Sequence, residues 1–183
     1  NQQLATLFTN FSQNILSDEE HNYIVLETEA DLAGLTPAFV SSAASAAAGR
    51  GLKGKWVVLN TRSSVEPFLT YSDRRDLRKR AFDNFVRRGD EGDKHDNNAI
   101  ITEILALRAE RARLLGFETH AHWQLQNTMA GTPERTLALM EAVWAPAVAR
   151  VREEVTDMQA VADAEGAGIV IEPWDYRYYA EKV

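Results

Sequence analysis

No cysteine occurs in the 183 residues. Disulfide scaffolds, thiolate zinc sites and thiol nucleophiles are thereby excluded. Long apolar runs are missing too, and none reaches the length needed to span a bilayer. The first residues, NQQLATLFTNF, lack the charged start and apolar core of a signal peptide. Positive charge is in deficit: Lys plus Arg is 20 against 27 for Asp plus Glu, a net charge of −7. That balance argues against a chain built mainly to hold nucleic acid or an anionic membrane. Gly-rich phosphate loops and a Gly-x-Ser-x-Gly elbow are also absent. What is there, 45% hydrophobic and 26% charged residues, suits a soluble domain with a sizeable core, expected in the cytoplasm.

The apolar pattern predicts a mainly α fold with a short antiparallel β element. Leu4, Leu7, Phe8, Phe11 and Ile15 recur at helical spacing, and SDEEHN (17–22) is expected to interrupt that helix. YIVLET (23–28) and KWVVLN (55–60) read as two paired strands. Between them, Thr36-Pro37 opens an alanine-rich helix that Gly49 and Gly51 close. Ser63 or Ser64 is expected to cap a short helix with Pro67 in its first turn. Asp73 is expected to cap the next, with Leu77, Ala81, Phe82, Phe85 and Val86 facing inward. After the polar loop GDEGDKHDNN (89–98) comes a helix carrying Ile100, Ile101, Ile104, Leu105, Leu107, Leu114 and Leu115. Thr119 opens a short helix to about Thr128. Thr132-Pro133 opens a long one to about Glu165, with Pro146 inside it. Glu172-Pro173-Trp174 begins a last helix toward Val183. Its aromatics, Trp174, Tyr176, Tyr178 and Tyr179, read as a surface orphaned from missing sequence and open to self-association through 172–183.

Chemistry-bearing residues are sparse. None of His21, His95, His120 or His122 begins His-Glu-x-x-His. His120 and His122 stand two apart, about 200° around a helix, and cannot share a metal there. Asp90, Asp93 and Asp96 suggest calcium, but Gly92 and Lys94 fall where an EF-hand needs oxygens. Arg74, Arg75, Arg78, Lys79, Arg80, Arg87 and Arg88 form the one cluster able to meet a polyanion. Asp73, Asp76 and Asp83 interrupt it, so it reads as a solvated helix surface. On the residues alone, no catalytic and no metal-binding residue is assigned, and the substrate-binding residues stay unassigned.

Resemblance adds a functional expectation. NNAIITEILALRAERARLLGFETHAHWQLQNTMAGTPE (97–134) and EPWDYRYYAEKV (172–183) resemble stretches of the thimet-oligopeptidase family of zinc metallopeptidases. NTRSSVEPFLTYSDRRDLRKRAF (60–82) and DLAGL (31–35) bring the chain nearest to its bacterial peptidyl-dipeptidases. The resemblance implies a two-lobed, mostly helical, zincin-like enzyme whose channel admits short peptides and removes C-terminal dipeptides. In that family the zinc is held by the two histidines of His-Glu-x-x-His and a later glutamate. The motif glutamate activates water, and a downstream tyrosine and histidines assist. All of these lie beyond the part this chain resembles. Residues 1–183 are therefore expected to be one helical segment of the channel-forming lobe, binding no zinc itself and completed by the remainder of the enzyme. The alternative is a stand-alone helical binding module without enzymatic activity. A nucleic-acid binder using the basic helix is a third and weaker reading.

Overall fold

A computed structural model describes all 183 residues. Eight helices and one two-stranded sheet follow in the order α1 (Gln2–His21), β1 (Ile24–Leu26), α2 (Pro37–Ala48), β2 (Trp56–Val58), α3 (Arg62–Tyr71), α4 (Arg75–Val86), α5 (Asn98–Leu114), α6 (His120–Leu125), α7 (Pro133–Ala164) and α8 (Tyr176–Ala180). The mainly α reading with one short β pair therefore holds. The strands are antiparallel, with Ile24 opposite Val58 and Leu26 opposite Trp56. Alanine-rich α2 lies directly on β2 and buries Ala43 and Ala47, small enough for close approach.

Hydroxyl caps set three helix starts. Thr36, Thr119 and Thr132 each accept a hydrogen bond from a backbone N–H three residues on, at 3.3 Å. Pro37 and Pro133 take first-turn positions where no donor is needed. Pro146 sits inside α7, which runs on past it.

Several boundaries differ from the sequence reading. The 17–22 stretch does not interrupt α1, which continues to His21 because buried Asp18 has partners there. Its carboxylate accepts from Gly89 N–H at 2.6 Å and from Asn22 Nδ2 at 3.2 Å. Gly89 is required at that lock: its φ is +74°, and a Cβ would stand 2.7 Å from Asn97 Nδ2. Helix α3 starts at Arg62 behind Thr61, leaving Pro67 beyond the first turn, while Ser64 Oγ accepts from Leu59 N–H instead of capping. Asp73 does not cap α4; its carboxylate accepts from the Tyr178 hydroxyl at 2.8 Å, and Arg74 takes the boundary position. Val86 points outward. Helix α6 stops at Leu125, and α8 begins only after Asp175 and ends at Ala180.

The interior is divided. Ile24, Leu26, Val58, Val65, Phe68, Leu69, Leu77 and Ala81 make the main core, between the sheet, α3 and α4. Leu4, Leu7 and Ile104 join α1 to α5. Met158, Ala162 and Tyr179 join α7 to α8. A self-contained domain ordinarily gathers its apolar side chains into one contiguous core. Here three small ones coexist with bare apolar surface on α5 and α7.

Candidate functional site

The most constrained polar cluster lies where the C-terminal segment meets α4. Arg75 and Arg78 stand one turn apart on α4 and reach the same carboxylate, Asp175, which is fully buried. Arg75 donates from Nε and Nη2 at 2.8–3.1 Å, and Arg78 donates from Nη2 at 2.8 Å. Arg78, only 2% exposed, spends its other donors on the carbonyls of Ser72, at 2.6 Å, and Trp174, at 3.3 Å. The hydrogen bonds to Asp175 hold the Arg75 guanidinium above its ordinary pKa. Trp174 is clamped against Phe82 with Lys79 4.8 Å from its ring, and Arg78 sits 4.1 Å from the Tyr178 ring. This arrangement is a lock. It tethers residues 170–183 to α3 and α4, with both Asp175 carboxylate oxygens engaged.

That lock corrects two expectations. The basic helix is only in part the solvated surface expected: Lys79, Arg80 and Arg87 are exposed, but most of its cations are paired within the chain. Arg74 pairs with Asp31 and Asp76, Lys79 with Asp83, Arg87 with Glu91 and Arg88 with Glu19, and Arg78 is interior. Nor are the C-terminal aromatics an orphaned interface. Tyr179 is buried, Trp174 packs on the main core, and Tyr176 donates to Glu154 at 2.6 Å. The premise for self-association through 172–183 is therefore removed. Sequence alone carries no sign of the lock, because Arg78 and Asp175 are distant in the chain and ordinary in composition.

The remaining suspects are dispersed. Asp96 accepts from the N–H groups of Gly92 and Asn98, and Asp93 from that of His95, so these acids hold their own loop. Accordingly Asp96 is held below the usual carboxylate range by those backbone bonds. His21 contacts the Ser17 carbonyl, His95 the Ser17 hydroxyl, and His122 the Thr119 hydroxyl. His120 packs against Trp123, and burial, then Arg108 and Arg111, lowers its pKa. Those two guanidiniums lie on the aromatic faces of Phe8 and Trp123, with no carboxylate of this chain as partner.

Among the larger concavities, two are lined mainly by apolar side chains. One of about 670 Å³ lies between the start of α1 and the end of α5, lined by Leu4, Leu107, Leu114, Leu115 and Trp123. The other, about 480 Å³, is a groove between α3, α4 and α7. Leu69, Phe82, Val151, Val155, Ile171 and Tyr176 form its walls. Both are of ligand size, but neither brings together a nucleophile, a base and a stabilising donor.

The profile of peptidase family M3 matches residues 68–183. The chain belongs to peptidase family M3. Among curated M3 relatives, it is 33% identical over 183 residues to a dipeptidyl carboxypeptidase of Salmonella typhimurium and 34% identical to one of Escherichia coli K12. Each alignment covers all of this chain and 27% of the relative. To an oligopeptidase A of Haemophilus influenzae it is 32% identical, with 98% of this chain and 27% of that protein aligned. The chain thus spans about a quarter of the length of these relatives. The metal that the resemblance implies for the M3 family does not fit the residues of this quarter. No three His, Asp or Glu side chains converge as ligands.

Proposed function

We propose that the chain is a non-catalytic wall segment of a cytoplasmic, zinc-dependent M3 peptidase that removes C-terminal dipeptides from short peptides. What supports the reading is one combination. The whole chain aligns within 27% of two dipeptidyl carboxypeptidases, yet its own side chains assemble neither a metal site nor a hydrolytic constellation. The metal and every reacting group then belong to polypeptide outside residues 1–183, and this segment contributes shape and apolar wall. The locked α3–α4 unit supplies the rigidity that such a wall needs.

Two preparations test this: the 183-residue chain, and the complete polypeptide encoded by its gene. The complete polypeptide should release dipeptides from the C-terminus of a short unblocked peptide, stop when a chelator is added, and resume with zinc. The 183-residue chain should release none and bind no zinc in equilibrium dialysis. Cleavage by the short chain, or micromolar zinc binding to it, would overturn the assignment. A complete polypeptide that binds the peptide without cleaving it would favour a binding module instead.

A further inference from the structure

The N-terminal half of α7 is the least covered part of the molecule. Residues 137–149, LALMEAVWAPAVA, hold a single charged residue, Glu141. Yet Leu137, Leu139, Met140, Val143 and Trp144 are all exposed, Trp144 at 72%. At about 100° per residue, Leu137, Met140, Trp144 and Val151 fall on one line along the helix. The same line continues through Val155 to Met158 and Ala162. There it is closed by the 169–179 segment and its tyrosines. One face of one helix is thus covered at its C-terminal end and largely bare over about 21 Å from Leu137 to Val151, where Val148 is half-buried. Leu139 and Val143 widen the large apolar surface to about half the circumference, and alanines 138, 142, 145 and 149 occupy most of the remainder.

We infer that residues 137–149 of α7 are an internal helix of the complete peptidase, sheathed on more than one side by apolar helices from its remaining polypeptide, one of them lying lengthwise on the Leu137–Met140–Trp144 line and entering the groove beside Val151 and Val155. The inference rests on the reading of the chain as part of a longer M3 peptidase. Three observations select this occupant. A helix that is apolar all round belongs inside a large protein or a membrane. No helix of this structure is long and apolar enough to cross a membrane. A second copy meeting across a two-fold axis would cover one patch and leave the opposite side wet. The relatives, by contrast, have roughly three times as much polypeptide again to supply a sheath. The groove lined by Leu69, Phe82, Val151, Val155 and Ile171 is continuous with the bare line through Val151, and it gives the lengthwise helix a place to end. Contact along the line requires at least four turns, with apolar residues at spacings of three and four. Glu141 lies at the margin of the large apolar arc, so the covering helix should offer it a Lys or Arg.

Amide hydrogen exchange tests this on unmodified protein. Peptides spanning 137–149 should exchange readily in the 183-residue chain and about a hundredfold or more slowly in the complete polypeptide. Peptides from α3 should be protected in both. Trp144→Glu should leave the melting temperature of the short chain unchanged and lower that of the complete polypeptide. Equal exchange of 137–149 in the two proteins overturns the inference. So does concentration-dependent protection in the short chain that Trp144→Glu abolishes, which would make a second copy the occupant. The dipeptide-release assay separates the two readings. Protection of 137–149 without cleavage leaves this inference standing and removes the enzymatic one, and cleavage without protection does the reverse.

Discussion

Helix α4 and the first half of α7 make opposite use of their side chains. Helix α4 is rich in charge, with RDLRKRAFDNFV between Arg75 and Val86, yet it is deeply integrated. It buries Leu77 and Ala81, and Arg78 reaches inward to Asp175. Residues 137–149 of α7 are nearly chargeless and remain on the outside. Hydropathy alone would have placed the two helices the other way round. The difference teaches that burial within this chain follows which partners it contains. A buried guanidinium is tolerable where a carboxylate and two carbonyls meet it. An apolar helix gains nothing where no apolar surface is available to meet it.

The largest expected effect probes the α4 side. Arg78→Ala should destabilise the chain by about 3 kcal/mol or more, because it strips one partner from buried Asp175 and orphans two carbonyls. For a domain of this size that is a melting-temperature loss of roughly 6–12 °C, read by calorimetry. A loss below about 1 kcal/mol would show that water reaches the lock and would erase the contrast with α7.

A smaller effect is expected at the start of α7. Thr132→Ala removes the cap that accepts from Arg135 N–H and should cost about 1 kcal/mol in denaturant unfolding. No change would mean that this end of the helix is frayed in the isolated chain, which would sharpen the difference from α4.

The covered end of α7 should respond to pH at both extremes. Tyr176 donates to Glu154, and this bond, ahead of burial, raises the tyrosine above 10.0. The neutral phenol is favoured in the fold. Its contribution is therefore present below pH 10 and lost as pH rises through the raised value. The same bond leads the causes that hold Glu154 below 4.5, so its contribution is present above that pH and lost as pH falls through the depressed value. Tyr176→Phe should flatten the unfolding curve in both windows. An unchanged profile would show that the contact between α7 and α8 is carried by Met158, Ala162 and Tyr179 alone.

The smallest expected effect lies on the bare line. Trp144→Ala should alter the stability of the 183-residue chain by no more than about 0.5 kcal/mol, since the residue is 72% exposed. A cost of several kcal/mol would place a partner on α7 already in this chain and break the comparison outright.

Local chemistry determined much of this fold from sequence alone. Thr36-Pro37 and Thr132-Pro133 each combine a side-chain acceptor with a residue that needs no donor, so these starts depend on no distant partner. The two strands are legible because Ile24–Leu26 and Trp56–Val58 are β-formers bounded by turn residues. The absence of His-Glu-x-x-His is equally local and was readable directly. What tertiary structure decided was the fate of side chains whose partners lie far along the chain. Asp18 holds α1 together only because Gly89 returns to it. Arg78 is interior only because Asp175 is waiting, and the C-terminal aromatics are covered only because α4 and α7 lie on either side of them. No period or composition encodes such pairings, because their energy depends on the distance between groups that the sequence separates by about a hundred positions. The near-chargeless stretch of α7 was visible in the sequence, but its exposure was not. Exposure is a property of what surrounds a helix, and only the fold shows that these 183 residues leave it uncovered.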